Sequence, residues 1–243
     1  MSNIIINGAM GKMGQEAVKA VENDPNLVLV AKTDMNDNLK DIIIASKSNI
    51  VVDLTHPSSV FENSKIILNN NNHAVIGTTG LTDKELKELE KIAIEKNKLI
   101  IICPNFAISA ILMMSFSQEA AKFMDRCEII EYHHDKKADA PSGTAIKTAQ
   151  LINEKNSTIN NETLTEKELL PGSRGAIVNN IPIHAIRIPG VVANQEVIFG
   201  TTGQSLTIRH DTISREAFMP GLILAIKATA THTGLIYGLE NII

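Results

Sequence analysis

The chain contains no tryptophan, only two cysteines, and aromatics at just 3% of its 243 residues. These shortages narrow the field. Cys103 and Cys127 stand 24 positions apart in no metal-ligand spacing, so the expectation is a reduced, cytosolic protein without a structural zinc. No segment approaches the roughly 20 consecutive apolar residues needed to cross a bilayer. The start runs from Met1 straight into Asn3-Ile4-Ile5-Ile6-Asn7, without the charged and apolar regions of a leader. Positive charge is also scarce: 23 Lys and Arg against 27 Asp and Glu leave a net −4. No global basic field recruits nucleic acid or an anionic membrane, so any affinity for anions must be local. Abundant asparagine and isoleucine read as codon bias rather than function, and there are no internal repeats.

What the chain does have is alternation. Ile4 to Asn7 reads as a buried strand, followed by a glycine loop and a helix over Gln15 to Glu22. Leu27 to Lys32, Ile50 to Leu54, His73 to Gly77 and Leu99 to Cys103 read as further strands. Between them, Val60, Phe61, Ser64, Ile67 and Leu68 form one helical face, and Thr82-Asp83-Lys84-Glu85 opens a helix with a capping-box pattern. Strands and helices in alternation predict a doubly wound parallel sheet. The pattern changes after about residue 105: a helix over Ser109 to Met124, a strand over Glu128 to Tyr132, and a helix to about Glu154. Asn156 to Lys167 is loop-like. Ile183 to Ile188, Gln195 to Phe199 and Ser205 to Arg209 read as antiparallel strands of a different sheet, the last two joined through Gly200 to Gln204. Leu222 to Ile226 is apolar all round and reads as a buried helix. The expectation is an α/β Rossmann-type domain over 1–107 and 216–243, with a mixed α+β domain over 108–215.

Gly8-Ala9-Met10-Gly11-Lys12-Met13-Gly14 lies between the first strand and the first helix, where a dinucleotide pyrophosphate sits against a helix N-terminus. The spacing is G-x-x-G-x-x-G rather than the commoner G-x-G-x-x-G, and a tight turn that merely needs glycine is the bland alternative. Asp34 stands twenty residues past Gly14 at the end of the second strand, where a carboxylate accepts from ribose hydroxyls. Gly77-Thr78-Thr79-Gly80 and Pro104-Asn105-Phe106 follow two later strands, at the sheet edge that lines the ligand crevice. An ordinary turn is the alternative for the first of them.

The sharpest signal is Glu131-Tyr132-His133-His134-Asp135-Lys136-Lys137-Ala138-Asp139-Ala140-Pro141-Ser142-Gly143-Thr144-Ala145. His133 and His134 end an apolar strand and are followed by two cations and a helix start. Histidine titrates close to neutral pH and is the usual general acid. Lys137 is suited to orient an anionic substrate or to donate a proton, whereas Lys136 reads as a solvated charge. Ser142 reads as a helix N-cap that leaves the N–H groups of Gly143 and Thr144 to receive a carboxylate or phosphate. The alternative is a capped helix and nothing more. His56, His73, His184, His210 and His232 read as structural or solvated.

The stretch Glu131 to Ala145 resembles the E-x-H-H-x-x-K-x-D-A-P-S-G-T-A signature of the 4-hydroxy-tetrahydrodipicolinate (dihydrodipicolinate) reductases. Gly8 to Gly14, Gly77 to Gly80 and Asn105-Phe106 fall where that family has its other motifs, so the likeness covers essentially the whole chain. The resemblance implies an enzyme of the diaminopimelate route to lysine, passing hydride from NADH or NADPH to a cyclic imine dicarboxylate. It makes His133 the proton donor/acceptor and Lys137 the second proton donor. His134, Gly143 and Thr144, with Ser142 as their cap, hold the substrate carboxylates. The cofactor falls to Gly8, Ala9, Met10, Gly11, Lys12, Met13, Asp34, Gly77, Thr78, Thr79, Cys103, Pro104, Asn105 and Phe106. It further implies a homotetramer, with a hinge closing over the substrate. No metal is expected.

This chain departs from that pattern in places. Met35 follows Asp34 where several members carry an arginine that grips the 2′-phosphate of NADPH. Met35 cannot do so and Asp34 repels a phosphate, which predicts a preference for NADH, softened by Lys12. Ser109 stands where glycine is expected, and Asn194 where a histidine is common. Two other readings remain: another amino-acid-pathway dehydrogenase, and a nicotinamide-sensing regulator whose second domain serves assembly. The first leaves the His-His, Lys and Ser-Gly-Thr cluster unexplained. The second, if it bound DNA, should show a basic recognition helix.

Overall fold

A computed structural model describes residues 1–161 and 167–243. The chain divides into two compact units, one formed by Met1–Ile108 with Arg215–Ile243 and the other by Ser109–Ser214.

The first unit is built on a six-stranded, wholly parallel sheet. Its strands are β1 (Ser2–Asn7), β2 (Leu27–Thr33), β3 (Ile50–Asp53), β4 (His73–Ile76), β5 (Leu99–Ile102) and β11 (Gly234–Tyr237), in the order β2-β1-β3-β4-β5-β11. Ile4, Ile5 and Ile6 of β1 are fully buried, as are Ile100 and Ile101 of β5. Such unbroken apolar runs suit strands covered on both faces by helices. The cover comes from α1 (Lys12–Asn23), α2 (Leu39–Ser46), α3 (Val60–Asn69), α4 (Asp83–Glu95) and, from the end of the chain, α7 (Met219–Ala228), which packs on α1. The expected capping box of α4 is formed, Thr82 Oγ1 accepting from the Glu85 N–H while Glu85 Oε2 accepts from the Thr82 N–H.

The strand order fixes where a ligand can sit. The chain leaves β1 for the edge strand β2 and then crosses back to β3 on the other side of β1. Beyond the carboxyl ends of β1 and β3 the two sets of connections diverge, and open α/β sheets bind ligands at such a switch point.

The second unit pairs five strands in the order β10-β9-β6-β8-β7: β6 (Arg126–His133), β7 (Ala176–Val178), β8 (Ile181–Arg187), β9 (Ala193–Thr201) and β10 (Gln204–Thr212). Helix α5 (Ile108–Ala121) precedes β6, and α6 (Gly143–Lys155) runs between β6 and β7. The β9–β10 hairpin is tighter than its glycines suggested, since both strands run up to Thr202-Gly203. One expectation is corrected. The strand read at Ile183 to Ile188 is β8, and it pairs in parallel with β6, Ile129 opposite Ile183 and His133 opposite Arg187. Its antiparallel partner is the short β7. A parallel pairing needs a long crossover, and α6 with the segment after it supplies one. Much of the expected loop at 156–167 lies in the described residues up to 161; the remainder up to 166 lies outside them.

One face of this sheet takes the buried side chains Cys127, Ile129 and Glu131 of β6 with Gln195, Val197 and Phe199 of β9, and α6 packs on β6, β7 and β8. The other face carries Ile130, Tyr132 and Ile198, which are half-buried, and Ile186, which is exposed.

Candidate active site

In the first unit the chain turns sharply after β1. Gly8 has φ +84°, and a Cβ there would stand 2.6 Å from the Leu54 carbonyl oxygen. A Cβ on Gly14 would come within 2.0 Å of the Gly8 oxygen, so α1 can lie against the loop only because position 14 has no side chain. Gly11 is less demanding, at 3.3 Å from the same oxygen. The N–H groups of Gly8 and Ala9 donate to the Thr33 carbonyl, and the first pairing within α1 is Gln15 N–H to Gly11 O. The N–H groups of Lys12, Met13 and Gly14 therefore open the helix without intrahelical acceptors, an end suited to a pyrophosphate.

Asp34 closes the other side. Its carboxylate accepts from the Met10 N–H at 3.0 Å and the Met35 N–H at 2.8 Å, and its own N–H donates to Asp37 at 2.8 Å. Gly8, Gly11, Asp34, Met35 and Asp37 line a cavity of about 630 Å³, together with Asn7 and the start of the segment after β3. That size suits half of a dinucleotide, within the usual ligand range of about 300–1,000 Å³. Close-approach glycines, unpaired helix N–H groups and a fixed carboxylate form the donor and acceptor set a dinucleotide requires. The charged groups on the wall are the two aspartates, and no Lys or Arg is among its described lining residues. Lys12 is exposed and off this wall, and Met35 is 91% exposed.

The other expected cofactor residues stand at the ends of β4 and β5, whose last residues Ile76 and Ile102 pair. Gly77 packs against Leu54 and the Phe106 ring. Thr79 and Pro104 are exposed, and Asn105 accepts from the Ala107 N–H at 2.8 Å. Two side chains turn inward. The Thr78 hydroxyl donates to Asp53, and the Cys103 thiol is buried, its pKa pushed to about 12 by burial and then by Glu240. Cys103 as a whole is 1% exposed.

No local motif marks the group to which Thr78 is tied. Asp53 ends β3 with no exposure at all and accepts from Asn7, Asn63, Thr55 and Thr78. Asn7 in turn accepts from Thr33. Chain-distant partners of this kind become visible only once β1, β2 and β3 lie side by side.

In the second unit β6 delivers Glu131 and His133 to one face, since alternate residues of a strand point the same way. His133 Nδ1 lies 2.5 Å from Glu131 Oε2. The chain then loops through Lys137 and a cis Ala140–Pro141 bond to Ser142, which caps α6 by accepting from the Ala145 N–H at 3.2 Å. Ser142 N–H donates back to Glu131 Oε1 at 3.1 Å, so strand end and helix start share one carboxylate. The first pairing within α6 is Ile146 N–H to Ser142 O, which leaves the Gly143 and Thr144 N–H groups without acceptors in the helix; among the described residues, nothing beyond the chain neighbours and the helix's own backbone lies within 4 Å of where a Gly143 Cβ would be. His134 is half-buried and Lys136 exposed. Lys137 is paired with Asp139 at 2.7 Å, and the aspartate is 63% exposed. Water at the open aspartate end screens the pair, while the lysine side chain itself is only 22% exposed.

Sequence reasoning gave no role to Glu131 or to Arg187. The Arg187 guanidinium forks onto both Glu131 oxygens at 2.8 Å each and also donates to the Asp139 carbonyl. An acid two positions before a candidate histidine on a strand was a readable signal; an arginine 56 residues away was not. Burial alone would raise the Glu131 carboxyl, but hydrogen bonds from His133 and Arg187 outweigh it and bring it down to about 2. Its ordinary value is 4.5, so the stability it contributes is complete above that pH and is lost as pH falls towards about 2. Acid unfolding followed by circular dichroism should therefore show a loss over that window that Glu131→Gln flattens.

The remaining histidines have local duties. His73 accepts from the Leu99 N–H, its pKa lowered to about 4 by burial and Lys98, and His184 meets Glu128. His210 lies between Ser109 and Thr212, and Asn194 accepts from the Thr212 N–H, so both departures from the expected pattern are absorbed locally. His56 differs, lying on the wall of the 630 Å³ cavity beside Ser58.

Comparison with known proteins agrees with this arrangement. Residues 2–106 match the family model of the dihydrodipicolinate reductase N-terminus, and residues 109–243 that of its C-terminus. The 4-hydroxy-tetrahydrodipicolinate reductase of Lysinibacillus sphaericus is 46% identical over 99% of this chain and 98% of its own length. That of Syntrophomonas wolfei is 43% identical over 100% and 98%. A solved structure of dihydrodipicolinate reductase from Paenisporosarcina sp. TG-14 with dipicolinate bound superposes with a TM-score of 0.93 at 43% identity, covering all of both chains. With both halves of the family matched in order and full-length relatives this similar, the chain belongs to the dihydrodipicolinate reductase family.

Proposed function

We propose that this chain reduces the cyclic imine dicarboxylate 4-hydroxy-tetrahydrodipicolinate to tetrahydrodipicolinate, the 4-hydroxyl leaving as water and one hydride and one proton being added, within the diaminopimelate route to lysine in the cytoplasm, and that it prefers NADH. The observation that carries the reading is the cluster at the end of β6. One buried carboxylate holds both the imidazole of His133 and the N-terminus of α6, so a proton donor and an anion-binding helix end are fixed together.

The bound dinucleotide supplies the hydride. His133 supplies the proton from Nε2, because Nδ1 is committed to Glu131. The N–H groups of Gly143 and Thr144, capped by Ser142, take one substrate carboxylate with the help of the helix dipole. His134 and Lys137 serve the other, and Lys137 is the second proton donor. Fixed donors of this kind act where charge develops during reduction and need no reorganisation as it does so. In the first unit Gly8 to Met13 and Asp34 hold the pyrophosphate and adenosine ribose, with Gly77 to Thr79 and Cys103 to Phe106 nearer the nicotinamide. The sheet face bearing half-buried Ile130, Tyr132 and Ile198 and exposed Ile186 supports assembly as a homotetramer.

The cofactor preference rests on Asp34 and Asp37, two carboxylates facing the adenosine half with no cation on the same wall. A 2′-phosphate placed there meets like charge. Met35→Arg should therefore lower the NADPH Kd about tenfold, one bidentate charge-assisted contact being worth on the order of 1.5–3 kcal/mol before screening. An unchanged Kd would mean that the phosphate is read elsewhere, with Lys12 the next candidate.

The direct test is consumption of NADH and NADPH by the purified chain, with the cyclic imine dicarboxylate generated in place by an aldolase that forms it. Rapid oxidation, faster with NADH, is the expected result. Oxidation favouring NADPH would keep the activity and overturn the specificity. No oxidation by a folded protein that still binds NADH would overturn the activity.

A further inference from the structure

We infer that Glu131 is a positioning residue for His133: clamped by Arg187, it holds the imidazole with Nδ1–H inward and Nε2 outward, and ties the start of α6 to the same point. The inference rests on the reading of His133 as proton donor and adds what makes that donor directional.

The geometry leaves the carboxylate little freedom. Oε1 accepts from Arg187 Nη2 at 2.8 Å and from the Ser142 N–H at 3.1 Å; Oε2 accepts from Arg187 Nη1 at 2.8 Å and meets His133 Nδ1 at 2.5 Å. Two donors per oxygen use all the acceptor sites a carboxylate offers. An ionised carboxylate only accepts, so Nδ1 must carry a hydrogen whatever the charge of the ring. In the neutral ring Nε2 then bears the lone pair. It takes up a proton from solvent to give the imidazolium, passes that proton to substrate and returns to the same tautomer. The Nδ1–H bond is neither broken nor formed in the cycle.

Arg187 makes this affordable. Glu131 has no exposure and His133 only 15%. A lone buried carboxylate would be strongly disfavoured, and an imidazolium beside a bare guanidinium equally so. Glutamate and arginine together are neutral, so the cluster can gain one positive charge when His133 is protonated. Arg187 also donates to the Ile186 and Asp139 carbonyls, which fixes β8 and the loop carrying Lys137 to the same carboxylate. Proton donor, helix cap and lysine loop thus share one anchor.

A purely architectural ion pair would give a different result from a positioning one. The test uses the full-length chain and its Glu131→Gln variant, with histidine labelled in the ring nitrogens and the His133 signal assigned from its loss in His133→Gln. Neutral wild-type His133 should show hydrogen on Nδ1. In Glu131→Gln the carboxamide NH2 can face Nδ1, and the hydrogen should move to Nε2. With the imine dicarboxylate as substrate, kcat should fall on the order of 10²-fold while KM and NADH Kd stay within about twofold, the signature of a misdirected acid rather than lost binding. Glu131→Asp keeps the charge and shortens the reach by one methylene, so it should retain the Nδ1 hydrogen and recover part of kcat; it also carries the tautomer test if the glutamine variant does not fold. A folded glutamine variant with wild-type kcat, or with the hydrogen still on Nδ1, overturns the inference. Wild-type protein inactive on the diacid, with the tautomer shift present, overturns the reductase reading and leaves the orientation of His133 supported.

Discussion

His133→Gln is expected to lower kcat by about 10²–10⁴-fold, the usual range for removing a general acid, while NADH affinity stays within about twofold. The carboxamide is close to imidazole in size and can still donate to Glu131, so the anchor at the end of β6 survives. Arg187 and the Ser142 N–H continue to satisfy the carboxylate, which keeps the cost to folding small. What glutamine lacks is a nitrogen that takes up and releases a proton near neutral pH. The residues proposed to hold the dinucleotide belong to the other unit and are untouched. The absence of tryptophan helps the measurement, because NADH fluorescence reports binding without energy transfer from an indole. Single-turnover oxidation of bound NADH then isolates the reduction step. A folded variant that turns over at the wild-type rate would remove His133 from the mechanism.

The parts of this molecule readable in the sequence are those whose cause is local. Asp83–Glu95 was announced by its capping box, because Thr82 and Glu85 satisfy each other's backbone within one turn. Gly8 and Gly14 were legible because a positive φ and a close approach leave few other choices. The His-His, Lys and Ser-Gly-Thr elements lie within fifteen residues, so a strand end, a loop and a helix start could be read in line. Elsewhere local signals misled or fell silent. Leu39–Ser46 was missed, since Ile42-Ile43-Ile44 is a β-branched run that argues for strand; the Asn38 side chain, accepting from the Asp41 N–H, makes it a helix. Gly234–Tyr237 was missed because four residues become a strand only when β5 stands beside them. The parallel pairing of β6 with β8 depends on a crossover, and so do the contacts of Arg187 with Glu131. Asp53 lay unnoticed within a strand, and its role depends on three strand ends and a helix brought together by the sheet.

Asp53→Ala carries the largest stability effect expected in the first unit. The side chain is fully buried and is the shared acceptor for Asn7, Asn63, Thr55 and Thr78. Truncation leaves two carboxamide donors and two hydroxyls facing a small void. The hydroxyls can rotate towards other acceptors, whereas the amides of Asn7 and Asn63 are held at 2.8 Å by their own strand and helix. Each buried donor left unpaired costs about 1–3 kcal/mol, part of it recovered if water enters the void. A net loss of about 3 kcal/mol corresponds to a fall of about 10 °C in Tm. Asp53→Asn separates this from a loss of charge. Its amide nitrogen can face Thr55 and Thr78, whose hydroxyls turn to accept, while its oxygen keeps Asn7 and Asn63; only the weaker donation from the Thr55 N–H is lost. The asparagine variant should therefore lose only about 1 kcal/mol. Calorimetry on the two variants decides between them, and equal losses would mean that charge, not the count of donors, sets the worth of the site. The consequence reaches binding, because Asn7 and Thr55 line the proposed dinucleotide cavity and Thr78 stands at the end of β4. If Asp53 holds these three in place, Asp53→Ala should weaken NADH as well as lower Tm, and Asp53→Asn should do little of either. A variant that melts early yet binds NADH as before would show that the carboxylate holds the sheet edge together without shaping the site.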